Sequence, residues 1–151
     1  VIRRSGEDYL LRPLQAAWLY TRGEKMGMSL DRPHLLSDGN TFQIGERVKL
    51  RFSKPSPLSA TARLELSSVN RFRPNVDAAL LLADTCILGP GAGSHIFCAD
   101  WSAELLLFRQ GSSWFFRPQD SVDVGGKVVN GQIPVVAGMR IRGEDFSISI
   151  E

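Results

Sequence analysis

The chain has 151 residues, 43% hydrophobic and 23% charged, which suits one domain or two small ones with a buried core and excludes a disordered tail. Eighteen Lys and Arg against sixteen Asp and Glu leave a net charge of +2, and the fourteen arginines are scattered rather than striped, so nucleic acid is not expected as a partner. No apolar run reaches the about 18 residues that span a bilayer, and no charged segment, apolar stretch and cleavage site open the chain, so no membrane partner is expected.

The sequence starts at Val1 without a methionine, which suggests a piece of a longer protein. In chain order, "RVKLRF" (47–52) alternates Val48, Leu50 and Phe52 with Arg47, Lys49 and Arg51, the period-two pattern of a half-buried strand with a cationic outer face. "SKPSPLSA" (53–60), with two prolines and three serines, reads as a connector, and "ARLEL" (62–66) as the next strand. "LLLADTCILG" (80–89) reads as two apolar strands around a tight Ala83-Asp84 turn. A helix over "VDAALLLAD" has the Ala and Leu it needs, but Thr85-Cys86-Ile87 and the Gly89-Pro90 stop favour strand. "FSISI" (146–150) closes the chain as another alternating strand. Turn signals at Arg22-Gly23, Asp38-Gly39, Gly111, Gly125-Gly126, Asn130-Gly131 and Gly138 space the strands as in an antiparallel sandwich or barrel.

Part of this pattern occurs twice. "GEDYLLRP" (6–13) aligns without a gap on "GSSWFFRP" (111–118), placing Tyr9 on Trp114 and Arg12-Pro13 on Arg117-Pro118. "DGNTFQIGERVKLRF" (38–52) aligns on "AGMRIRGEDFSISI" (137–150) with one deletion, so that Val48, Leu50 and Phe52 meet Phe146, Ile148 and Ile150. The first copy lacks an equivalent of residues 76–106. The expected organisation is a partial β unit over 1–55, a connector and strand over 56–75, and a complete β-sandwich over 76–151.

The chemistry-bearing residues are few. The glycines of "CILGPGAGSHIFCADW" (86–101) lack the Lys-Ser or Lys-Thr pair of a nucleotide-phosphate loop and are not followed by a helix, so the loop reads as a turn whose glycines take positive φ. Cys86, His95 and Cys98, with His34 more distant, do not have zinc-site spacing. Cys86 and Cys98 are read as buried free thiols, with a bridge as the alternative if their strands face each other. His95 or His34 beside Ser94, Ser37, Asp100 or Asp38 offers the parts of a hydrolytic triad without a nucleophile elbow, so no catalytic residue is assigned. Trp101, Trp114, Trp18 and Tyr9 read as packing aromatics rather than a ligand platform.

The order of signals in the second copy resembles the forkhead-associated (FHA) family, carried by "CILGPGAGSHIFCADW", "AELLLFRQGSSWFFRP", "VDVGGKVV" and "VVAGMRIRGEDFSISI". The resemblance covers 76–151 and, through the repeat, reaches 1–52 as the back half of a second copy. It implies an antiparallel β-sandwich that presents loops at one end to phosphothreonine peptides, gripped by an arginine, a serine and an Asn-Gly-Thr loop. This sequence departs from the family at those positions. Pro90 follows Gly89 where the family has arginine; Ser102 matches the serine, but Glu104 lies near the histidine's place. Asp120-Ser121-Val122 replaces the Asn-Gly-Thr loop, and Gly125-Gly126 stands for Asn-Gly.

Losing one charged hydrogen bond costs about 1.5–3 kcal/mol, and two added carboxylates repel a phosphate dianion. The expectation is therefore an all-β, FHA-like sandwich preceded by a partial copy. It would act as a non-catalytic protein-interaction module, independent of phosphate, within a bacterial-type signalling or scaffold protein. The alternatives are a structural domain that self-associates through the partial copy and a weak phosphothreonine-peptide binder. Ser94, His95, Ser102, Arg117 and Lys127 are the candidate ligand-binding residues at the loop end. No cofactor or metal is expected; the partner is a protein or peptide, and the compartment expected is the cytoplasm.

Overall fold

The computed structural model describes residues 1–21, 26–67, 76 and 78–151, which form strands and no helix, hence none long and apolar enough to cross a membrane. Two compact units divide the chain, Val1–Ala83 and Asp84–Glu151. The first contains β1 (Ile2–Ser5), β2 (Asp8–Leu11), β3 (Ala17–Tyr20), β4 (Met28–Ser29), β5 (His34–Leu36), β6 (Thr41–Ile44), β7 (Val48–Ser53), β8 (Ala62–Leu66) and β9 (Ala78–Leu81). The second contains β10 (Thr85–Gly89), β11 (Ile96–Phe97), β12 (Leu105–Gln110), β13 (Ser113–Pro118), β14 (Val122–Val124), β15 (Lys127–Val129), β16 (Ile133–Pro134), β17 (Arg140–Arg142) and β18 (Ser147–Ser149). Among the described pairings only β10 and β11 run parallel; the rest are antiparallel.

In the first unit a three-stranded sheet, β1-β2-β5, faces a six-stranded one, β4-β3-β6-β7-β8-β9. Tyr9, Leu11 and Leu36 from the small sheet share one core with Leu19, Phe42, Phe52 and Leu64 from the large one. The alternation in β7 buries Leu50 and Phe52 and exposes Lys49 and Arg51, as period two requires. Tyr9 packs edge-on to Phe52 at 5.5 Å and donates its hydroxyl to the Ala60 carbonyl at 2.8 Å, so its one polar atom is satisfied inside the core. In the second unit the sheets are β11-β10-β12-β13-β16 and β15-β14-β17-β18. Cys86, Leu88, Leu105, Phe116 and Ile133 line the inner face of the first, and Val122 and Ile141 that of the second.

A seven-strand pattern is common to both units. In the hairpins β1-β2 and β12-β13, Arg4 lies opposite Tyr9 and Arg109 opposite Trp114, around turns where Gly6 and Gly111 have φ of 61° and 63°. That left-handed conformation is what glycine tolerates at no steric cost. β5 pairs with β2 as β16 does with β13: Leu11 meets His34, and Phe116 meets Ile133. β3 crosses β6 with Leu19 opposite Phe42, as β14 crosses β17 with Val124 opposite Ile141. The closing hairpins agree down to single bonds: Gly39 N–H reaches the Phe52 carbonyl at 3.0 Å, and Gly138 N–H the Ile150 carbonyl at 2.9 Å.

Where the units differ is at their flanks. The first adds β8 and β9 beyond β7, while the second adds β10 and β11 beyond β12. The compact boundary falls at 83/84 and not at 76, because β9 pairs with β8 and so belongs to the first unit. Strands β9 and β10 flank the Ala83-Asp84 turn as expected, but they enter different sheets. The stretch read as a connector is packed: Ser56, Ser59 and Thr61 are buried. Their hydroxyls accept from the main chain at Leu58, Thr61 and Ala83 respectively. Ser56 and Ser59 thus serve local side-chain-to-backbone bonding, and Thr61 ties the stretch to Ala83. The turn expected at Arg22-Gly23 lies outside the described residues.

Candidate functional site

The glycine loop 89–95 joins β10 to β11, and the expected positive φ is found at one of its three glycines. Gly89 takes a φ of 157°, whereas Gly91 and Gly93 do not take positive φ. Glu104 presses on the loop: a Cβ at Gly89 would stand 2.9 Å from the Glu104 Cγ and 3.1 Å from its Cα, and one at Gly91 would stand 2.7 Å from Oε1. At Gly89 both the φ and the close Glu104 main chain exclude larger residues, whereas at Gly91 the obstacle is the flexible end of the Glu104 side chain.

Ser94 and His95 turn inward. His95 is wholly buried, and it clamps Ile87 at two points: its N–H donates to the Ile87 carbonyl at 2.8 Å, and its Nδ1 accepts the Ile87 N–H at 3.0 Å. The imidazole thus stands in for a missing strand beside β10 before β11 takes up the pairing at Leu88 and Ile96. Ser94 is 5% exposed, and its hydroxyl finds no hydrogen-bond partner among the described residues.

Ser102 is exposed and is engaged by the turn 143–146. Asp145 accepts the Ser102 N–H at 2.5 Å and also its hydroxyl, and these two bonds hold the Asp145 carboxyl below its ordinary range. Trp101 stacks on Phe146 with ring centroids 4.4 Å apart, and Gly143 leaves room for the Phe146 ring, into which a Cβ would run. Beside this junction lies a cleft of about 310 Å³, lined by Ser102, Ala103, Glu104, Pro118, Gln119, Asp120, Ser121, Val122, Gly143, Glu144, Asp145 and Phe146. Four carboxylates and no cation line it.

The two candidate cations are elsewhere. Arg117 lies across from Leu106 on the outer face of its sheet, with its guanidinium over the Phe108 ring at 5.1 Å. It borders a separate hollow with Ile87, Glu104 and Leu106. Lys127 sits opposite Val124 at the tip of the β14-β15 hairpin and does not line the cleft. Of the five candidate residues, only Ser102 therefore reaches the cleft.

Cys86 and Cys98 are both free. Burial pushes the Cys86 thiol up to about 11 and raises that of Cys98, so at neutral pH both stay protonated and are poor nucleophiles or ligands. Among the described residues no group of three or more His, Cys, Asp or Glu is placed to hold a metal ion. The importance of Glu104 and Asp145 was hidden in the sequence. The approach of an acidic side chain to a glycine loop 13 residues earlier, or a turn capping Ser102 from 43 residues away, leaves no local signal. Compared with known proteins, the chain matches no family model, no curated protein and no solved structure.

Proposed function

We propose that the chain is a non-catalytic protein-interaction module whose second unit resembles an FHA domain and is blind to phosphate. The observation that carries this reading is the cleft at the loop end. Where the resemblance calls for a cationic grip, Glu104, Asp120, Glu144 and Asp145 line the surface. A phosphate dianion would meet like charge there, with no arginine fork to offset its desolvation. Ser94 and His95 are committed to the interior and cannot replace the grip. Two free thiols fit a reducing compartment, in keeping with a cytoplasmic module.

The test is a titration of the chain with a degenerate phosphothreonine peptide library, followed by two-dimensional NMR with the unphosphorylated library as control. The reading expects no difference between the two. Phosphate-dependent shifts at Ser94, His95 or Ser102 would overturn it.

A further inference from the structure

The two copies agree in their cores and part on the outer face of β3-β6-β7 and its counterpart β14-β17-β18. In β3, Ala17 and Leu19 point to the core, so Trp18 and Tyr20 lie on the opposite face, each half-buried. In β7, Leu50 and Phe52 point inward, and Lys49 and Arg51 outward. The registers bring these side chains together. Trp18 lies opposite Gln43 and Gln43 opposite Lys49, while Tyr20 lies opposite Thr41 and Thr41 opposite Arg51. With Leu19 matched to Val124 and Phe42 to Ile141, the same places in the second unit hold Asp123, Gly125, Ser147 and Ser149. The framework thus forms without either ring and without either cation.

The positive charge on this face is not balanced within it. Glu65, the one carboxylate among the outward positions of β3, β6, β7 and β8, is held by Arg63 at 2.9 Å. Lys49 and Arg51 are exposed and make no ion pair among the described residues. Lys49 instead holds its ammonium over the Tyr20 ring, 5.4 Å from the centroid. Gly27 lies against the same ring, so close that a Cβ there would stand 2.7 Å from it. The Trp18 indole N–H makes no hydrogen bond among the described residues. Two cations and an N–H donor beside aromatic surface suit carboxylates. Single-stranded nucleic acid needs ring faces on which bases stack, and the Tyr20 ring is already engaged.

We propose that this face of the first unit docks an extended acidic segment of a partner protein, with carboxylates at alternate positions facing Lys49 and Arg51. These two residues are two apart on one strand, about 6.6 Å, and alternate residues of an extended segment have the same spacing. Trp18 supplies an aromatic wall and a further donor. Charge selects the partner, and the spacing selects its extended form. This surface lies on the first unit and goes beyond the phosphate-blind reading of the second.

The probe is the blocked peptide Gly-Glu-Ser-Glu-Ser-Glu-Gly, titrated to millimolar concentration against the full chain and followed by two-dimensional NMR. Shifts should appear at the Lys49 and Arg51 amides and at the Trp18 indole, and should fade as salt is raised. The counterpart face is the internal control. Arg140 and Arg142 stand on it beside Asp123 and Gly125 rather than rings, and should not shift. Lys49→Ser with Arg51→Ser installs the residues that the second unit carries at these places, so the fold should survive and the peptide should bind at least tenfold more weakly. Lysine in place of each glutamate of the peptide should abolish the shifts. Four results would each overturn the proposal: no shift at the three named residues, equal shifts at Arg140 and Arg142, unchanged binding by the serine pair, or the same shifts with the lysine peptide. An eight-residue oligothymidylate that takes this face at lower concentration than the peptide would overturn it in favour of nucleic acid. A phosphate-dependent response in the other titration would leave it standing.

Discussion

The two units share a seven-strand framework and differ in charge and in which flank is closed. The first has thirteen Lys and Arg against eight Asp and Glu, for a net +5; the second has five against eight, for a net −3, which together make the chain's +2. Extra strands lie beyond β7 in one and beyond β12 in the other. A repeated fold therefore does not imply a repeated surface. The framework specifies the core and the register, and the additions at its margins decide which edge stays open and which loops are offered.

The largest effect should come from the centre of the first unit. Phe52 is fully buried and packs edge-on to Tyr9, so Phe52→Ala should cost about 3–5 kcal/mol, read as a lowered urea midpoint at unchanged slope. Its counterpart, Ile150, is only half-buried, and Ile150→Ala should cost clearly less. Equal costs would mean that the two cores are more alike than their burial shows.

Next in size is the clamp unique to the second unit. His95→Leu removes the acceptor of the Ile87 amide and should cost about 1–3 kcal/mol, with faster hydrogen exchange at Ile87. His95→Asn keeps a side-chain acceptor and should retain part of the protection. If both variants exchanged alike, the Nδ1 contact would have no energetic weight.

The matched turns give a finer comparison. Gly6 and Gly111 have nearly equal φ, and neither would place a Cβ within 4 Å of other atoms. Alanine at either should thus cost about 1–2 kcal/mol from backbone strain alone, and by the same amount. Unequal thermal shifts, once scaled for unit size, would show that the hairpins are less equivalent than their register.

The smallest effect is electrostatic. The carboxyl of Asp145 titrates below its ordinary value because Ser102 donates to its charged form. A depressed carboxyl contributes stability above its unfolded-chain value and loses it as pH falls through the depressed one. The Ser102 amide resonance should therefore move only on strong acidification. In Asp145→Asn that movement should vanish while the rest of the second unit titrates unchanged.

The all-β class, the spacing of turns and both aligned stretches were legible because period-two alternation and left-handed glycines leave local marks. The pairings of β5 with β2 and of β16 with β13 were not, since "HLL" and "IPV" share little beyond apolar character and His34 and Ile133 meet partners 23 and 17 residues away. The offset between the copies changes by six residues across the β3-β4 hairpin, which hides their continuity. Ser94 and His95 read as surface loop residues because a serine and histidine after glycines usually are. Only the pairing with Ile87, eight residues back, draws them inside. The Pro- and Ser-rich stretch 53–60 was legible as the connector that leads into β8, but not the burial of Ser56, Ser59 and Ala60 within it.

The closeness of Glu104 to Gly89 and Gly91 also bears on what a substitution in this loop can do. Residue 90 lies between two glycines that both face Glu104, Gly91 against its carboxylate. An arginine introduced there would find its counter-ion already built into the protein and would be neutralised before any ligand arrived. The contact therefore couples the two positions: an arginine at 90 is quenched while Glu104 remains, and removing Glu104 alone adds no cation to the loop.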